Sequence, residues 1–162
     1  MDDSARAGRV EAINTSRGGV PKTPLFEALV TEHGLDSDRQ RDLRFHGGPD
    51  RALVLYSLDV IRALQAEGHP IAIGSTGENL TISGLDWLSV VPGVELQIGD
   101  VRLLITKYAS PCENIGPSFV EGDFTRISER RYAGWSRVCA RVLTGGIVRI
   151  GDSVIASAPR TC

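Results

Sequence analysis

From residue 71 to residue 155 the chain is built from short runs in which apolar and polar side chains alternate, and glycine breaks or stops most of them. Glu78-Asn79-Leu80-Thr81-Ile82, Val94-Glu95-Leu96-Gln97-Ile98 and Val101-Arg102-Leu103-Leu104-Ile105-Thr106 are three such runs. A period of two points one set of side chains inward and the other outward, which is the pattern of half-buried strands. Many short strands at close spacing close into a barrel or stack as a sandwich. With 18 glycines and 8 prolines among 162 residues, few long helices fit between the turns. The chain therefore reads as mainly β, with a core that includes Val10, Leu53, Ile82, Leu96, Leu104 and Val142. One domain accounts for this length, and a chain of this size buries roughly 70% of its unfolded surface without covalent staples. No run approaches the ~18 apolar residues of a membrane-spanning helix. A net charge of −2 argues against a nucleic-acid or anionic-membrane partner.

Residues 1–8 are small and charged and read as an N-terminal tail; residues 9–156 form the domain, and 157–162 a polar C-terminal tail. Arg9–Asn14 alternates like a strand. Residues 31–44 are a long polar connection that ends in Phe45-His46-Gly47-Gly48-Pro49-Asp50-Arg51. One helix is well marked. Ser57 is placed to cap it, Leu58, Ile61 and Leu64 share a face, Gly68 ends it, and Pro70 prevents its continuation. Leu96-Gln97-Ile98-Gly99-Asp100 recurs in form as Val148-Arg149-Ile150-Gly151-Asp152, which predicts a repeated turn device near the end of the chain.

The candidate chemistry lies in loops. Cys112 follows Pro111 just past an apolar strand; it reads as a nucleophile, a soft metal ligand or a redox thiol, or else as a space-filling thiol. Cys139 alternates with Val138 and Ala140 and reads as strand filler, and Cys162 is terminal. Three unpaired-looking cysteines and an acidic Met1-Asp2-Asp3-Ser4 start without an apolar leader predict a reducing cytoplasm and no disulfide framework. His46 precedes two glycines whose amides can approach an anion. It serves as base or donor there, or merely caps the turn. Gly77-Glu78-Asn79 is a second unusual turn, either presenting polar groups to a pocket or leading into a strand. Arg126, Arg130, Arg131 and Arg137 form a basic stretch of the sort that usually faces solvent. The common P-loop, dinucleotide, nucleophile-elbow and zinc-protease signatures are absent.

Taken in order, Phe45–Ala52, Gly77-Glu78-Asn79-Leu80-Thr81, Gly99-Asp100, Pro111-Cys112, Gly134-Trp135-Ser136-Arg137, Ala140–Leu143 and Gly151-Asp152 resemble the MOSC domain. That domain occurs at the C-terminus of molybdenum cofactor sulfurases and as stand-alone bacterial proteins. The resemblance covers nearly the whole chain and is to the stand-alone type. It implies a closed β-barrel similar to the pyruvate kinase β-barrel domain, with a few short helices. It also implies a role with the molybdenum cofactor, either carrying sulfur to a metal centre or reducing N-hydroxylated compounds. Cys112 would then be the thiolate ligand or sulfur carrier, with His46 beside it. Gly47, Gly48, Arg51, Gly77, Glu78, Asn79, Lys107 and Arg137 would contribute to binding molybdopterin. Pyridoxal phosphate belongs to the separate sulfurase domain and is not expected here. Expected partners are molybdopterin or a small-molecule substrate, with an electron-donor or sulfurase protein. Two other readings remain: a cofactor-independent thiol enzyme using Cys112 and His46, and a non-catalytic module that binds an anionic ligand or a protein.

Overall fold

The computed structural model describes residues 7–15, 23–36 and 48–157; His46, Gly47, Cys162 and most of the two expected tails lie outside them. The strands are β1 (Gly8–Thr15), β2 (Thr23–Leu25), β3 (Glu27–Thr31), β4 (Gly34–Leu35), β5 (Leu53–Ser57) and β6 (Leu80–Ser83). They continue as β7 (Glu95–Ile98), β8 (Val101–Tyr108), β9 (Val138–Thr144), β10 (Gly146–Arg149) and β11 (Ser153–Ser157). Gly8 and Ser157, expected in the tails, are thus the ends of strands. At Gly8 a Cβ would come within 2.7 Å of the Ser83 carbonyl oxygen, so glycine lets β1 start this close to β6.

Hydrogen bonding runs β11-β7-β8-β9-β5-β6-β1, and β1 pairs back onto β11 through Gly8 with Val154 and Arg9 with Ser153. Seven strands therefore close a barrel, which removes most of the exposed edges an open sheet would present. β2 hangs on β1 outside the ring, and β10, β3 and β4 form a separate three-stranded sheet. Neighbours in the barrel are antiparallel except β5 and β6, which are parallel. Parallel neighbours need a crossover, and the helix α1 (Leu58–Ala66) lies in it. Its cap is as the sequence predicts: Ser57 Oγ accepts from the Val60 amide at 3.1 Å, a contact worth about 1 kcal/mol. Leu58, Ile61 and Leu64 are its buried face. Among the described residues no helix is long and apolar enough to cross a membrane.

The barrel is filled by Val10, Ile13, Leu53, Leu55, Ile82, Leu96, Ile98, Leu103 and their neighbours. Two expectations for the core need correction. Leu104 is only half-buried, while Val101, Leu103 and Ile105 point inward. The two-residue Gly99-Asp100 turn sets this phase: it pairs Ile98 with Val101, so Leu96 faces Leu103. Val142 is also only half-buried, because β9 alternates differently from its hydropathy. Its first three residues, Val138, Cys139 and Ala140, are all fully buried.

The repeated Ile-Gly-Asp occurs in two different settings. Around Gly99 it makes a tight hairpin. Around Gly151 it makes a corner: β10 pairs with β3, whereas β11 returns to the barrel. Gly151 and Asp152 bond to Val10 through its carbonyl (2.8 Å) and amide (2.9 Å). Gly145 makes the diversion possible, since a Cβ there would sit 2.5 Å from the Val30 carbonyl oxygen.

Candidate functional site

Three segments meet where β8 ends and β9 begins, beside β5. The first is the turn leading into β6. Gly77 takes a φ of 84°, which only glycine adopts without strain, and this swings Glu78 and Asn79 inward. Asn79 zips β6 onto β5: its amide donates to the Val54 carbonyl at 2.7 Å, and its Oδ1 accepts from the Val54 amide at 2.8 Å. Asn14 completes the joint from β1, donating through Nδ2 to the Glu78 carbonyl and to Thr81 Oγ1, both at 3.2 Å. The Glu78 carboxylate is fully buried. Oε1 accepts from Thr76 Oγ1 at 2.9 Å; Oε2 accepts from the Gly74 amide at 2.9 Å and Thr81 Oγ1 at 3.1 Å. Burial pushes its carboxyl up, against the pull of those donors.

The second segment is the start of β9. Arg137 is buried, with 7% of its surface exposed. Nη1 donates to the Thr76 carbonyl at 2.6 Å and Nη2 to the Ser110 carbonyl at 3.3 Å. Its own carbonyl accepts from the Ala109 amide at 3.0 Å. Arg137 thus ties the Gly77 turn to the cysteine loop. Burial pulls its pKa down, and the fields of Tyr56, Glu78, Cys139 and Cys112 oppose this. Its buried Nε has no hydrogen-bond partner among the described residues.

The third segment is the loop after β8. Cys112 is exposed, and its carbonyl accepts from the Ile115 amide at 3.1 Å to open a run of 3-10 turns. Ser118 ties that run back to Ser75 at 2.8 Å.

Arg51 and Lys107, expected beside Cys112, act together with Arg137 on the Cys139 thiol. Lys107 is the register partner of Cys139 across β8 and β9, and Arg51 lies close enough to draw its thiol pKa down. Burial pushes the Cys139 thiol up, while Arg51, Arg137 and Lys107 pull the other way. Cys139 is therefore a buried thiol among cations, which its alternation with Val138 and Ala140 could not reveal. The turn bearing Arg51 is pinned by Asp50, which pairs with Arg141 at 2.7 Å. Gly48, just before it, is exposed at a φ of 98°. Among the described residues no three His, Cys, Asp or Glu side chains cluster as metal ligands. An open groove of about 380 Å³ lies elsewhere, lined by Asp59, Trp87, Leu88 and Trp135 but by none of Cys112, Arg51, Lys107 or Arg137.

Arg126, read in the sequence as part of a solvated basic face, is held in place. Its guanidinium forks onto Glu67 at 2.9 and 2.7 Å and stacks against Trp135 and Tyr132, 4.1 and 4.6 Å from their ring centroids. His69 adds a second grip by accepting from the Val120 amide through Nδ1 at 3.1 Å. The end of α1 thereby fastens the connection that starts at Cys112 and finishes at Arg137. Arg126 holds the Glu67 carboxyl below its ordinary value of 4.5. A depressed carboxyl contributes stability above the unfolded value that is lost as pH falls through the folded one. Wild type should therefore lose stability below about pH 4.5 more steeply than Glu67→Gln does. Parallel acid limbs in thermal unfolding would show that the pair contributes nothing.

Similarity to other proteins agrees with this architecture. A model of the MOSC domain family matches residues 42–155. The chain is 30% identical to Protein YiiM of Escherichia coli over 114 residues, 67% of this chain and 51% of that protein. It is 27% identical to the uncharacterised YflK of Bacillus subtilis over 84% of this chain and 62% of that one. The chain thus spans between about half and three fifths of these relatives' length. Among solved structures, YiiM from Geobacillus stearothermophilus superposes with a TM-score of 0.70 at 20% identity, covering 93% of this chain and 75% of that one. The YUAD protein of Bacillus subtilis gives 0.76 at 17%, covering 95% and 97%. These two share the barrel as a fold. The family match spans most of the chain and includes the Gly77 turn, Cys112 and Arg137, and on that ground the chain belongs to the MOSC domain family.

Proposed function

We propose that this protein binds the molybdenum cofactor, with Cys112 as the thiolate that meets the metal or carries its sulfur. The observation that carries the reading is the buried Arg137, whose Nε has no acceptor among the described residues and whose Nη2 donates to the Ser110 carbonyl, two residues before the exposed Cys112. An unpaired buried donor is costly, and an anionic ligand atom would satisfy it. The donor set suits the group. A thiolate is a soft ligand for a sulfur-bound transition metal, and the pterin phosphate needs amides and cations. Arg137 would bind from below, while half-exposed Arg51, exposed Lys107 and the exposed Gly48 amide would face the phosphate at the rim. His46 and Gly47 belong to the same motif as Gly48 and are proposed to extend that rim. Asn79 and Gly77 would shape the site by fixing the turn. When bound, the group would supply two-electron chemistry suited to removing oxygen from N-hydroxylated compounds, or a metal to receive sulfur. A cytoplasmic setting and an electron-donor or sulfurase partner follow from this reading.

Metal analysis of the full chain, purified from a host that makes the cofactor, tests it. Wild type should retain molybdenum, and Cys112→Ser should retain less than a tenth as much. Its unfolding midpoint should stay within about 2 °C, because an exposed side chain contributes little packing. Equal molybdenum in the two proteins, or none in wild type, would overturn the proposal.

A further inference from the structure

We infer that Glu78 is a positioning residue: acting through Thr76, it aims the Nε of Arg137 at an anionic group of the ligand. This deepens the reading above and rests on it.

Direct contact between Glu78 and a ligand is ruled out by its surroundings. The side chain is fully buried, and both carboxylate oxygens already accept from the Gly74 amide and the Thr76 and Thr81 hydroxyls. What the carboxylate does reach is Thr76, itself fully buried. Thr76 donates its hydroxyl to Glu78 and offers its carbonyl to Arg137 at 2.6 Å. The carboxylate thus fixes the residue that fixes the guanidinium. With Nη1 committed to Thr76 and Nη2 to Ser110, the planar fork has a set orientation. Nε is left as a buried donor without an acceptor among the described residues. A guanidinium held in one orientation through both Nη atoms, with its buried Nε left without an acceptor, has the form of a prepared binding site. The sequence motif is explained as well: the carboxylate of the Gly77-Glu78-Asn79 turn acts inward on an arginine, while the asparagine zips two strands.

The Arg137 Nε–H resonance of the full-length protein, identified by its loss in Arg137→Met, reports the aim directly. Inorganic phosphate is the probe for the anionic group. In wild type the resonance should exchange slowly with water and move saturably as phosphate is added. Glu78→Gln removes the carboxylate and reverses or weakens its contact with the Thr76 hydroxyl, and Thr76→Val removes the linking hydroxyl at constant shape. In both variants the resonance should exchange at least tenfold faster and need at least tenfold more phosphate to move. Protection of the Cys139 thiol reports that each variant is folded, and Thr76→Val decides the matter if Glu78→Gln is not. A wild-type resonance indifferent to phosphate, or folded variants indistinguishable from wild type, overturns the inference. Molybdenum content is measured separately with Cys112→Ser. Loss of the cofactor reading therefore shows there, and loss of the Glu78 role shows in the resonance.

Discussion

Arg137→Met is expected to lower the unfolding midpoint by roughly 6–20 °C, the largest effect of any single substitution at the site. Removing one partner from a buried, hydrogen-bonded charge network costs about 3–5 kcal/mol, and each kcal/mol shifts a domain of this size by about 2–4 °C. Two carbonyls, those of Thr76 and Ser110, lose their donor at once. Glu78 also loses a neighbouring cation while it stays buried. The deficit should depend on pH, and its sign follows from Glu78. Burial already raises the folded carboxyl above its ordinary 4.5, and removing the cation raises it further. A folded state that holds its proton more tightly than the unfolded one is relatively most stable at low pH and loses that advantage as pH rises through the folded value. The deficit should thus be smallest below about pH 4.5 and grow toward neutrality. Arg137→Lys keeps a charge but cannot bridge two carbonyls in one plane, so it should recover only part of the loss. Thermal unfolding across pH measures all of this; a midpoint within 2 °C of wild type for the Met variant would mean that Arg137 does not join the turn to the cysteine loop.

Native-state alkylation should separate the two described cysteines by at least roughly a thousandfold, because a fully buried thiol reacts only when the structure opens and opening costs several kcal/mol. Cys112 is exposed on the loop after β8, whereas Cys139 is fully buried and burial also pushes its thiol up. Cys112 should therefore react within minutes, and Cys139 only as denaturant is added. The cations around Cys139 do not change this order, since they cannot act on a reagent that is kept out. Mass spectrometry of digested, alkylated protein reads both sites. Fast modification of Cys139 in folded protein would place its thiol in the open part of the site and require the roles of the two cysteines to be reassigned.

Local pattern alone determined much of the architecture. Alternation gave the inward face of β7 but not the burial of β6 on both faces, where Leu80, Thr81 and Ile82 are all buried, and Ser57, Gly68 and Pro70 bounded α1. Gly99-Asp100 marked a hairpin, and Pro111 with its polar followers put Cys112 in a loop. Each is a matter of neighbouring residues, governed by backbone conformation and by which side chains share a face, so the order of residues suffices. Tertiary structure decided what pairs at long range. Nothing near Val148 says that its strand joins β3 and leaves the second Ile-Gly-Asp at a corner. The inward phase of β8 was set by pairing across the Gly99 turn, which chose Leu103 over Leu104. Only the closed barrel brings Thr76 and Ser110 onto one guanidinium, gathers Arg51, Lys107 and Arg137 around Cys139, and turns Arg126 from a surface charge into a clasp on Glu67. The strength of each of these contacts depends on burial and on which distant acceptors fall within reach, and both are properties of the packed chain that no stretch of sequence carries by itself.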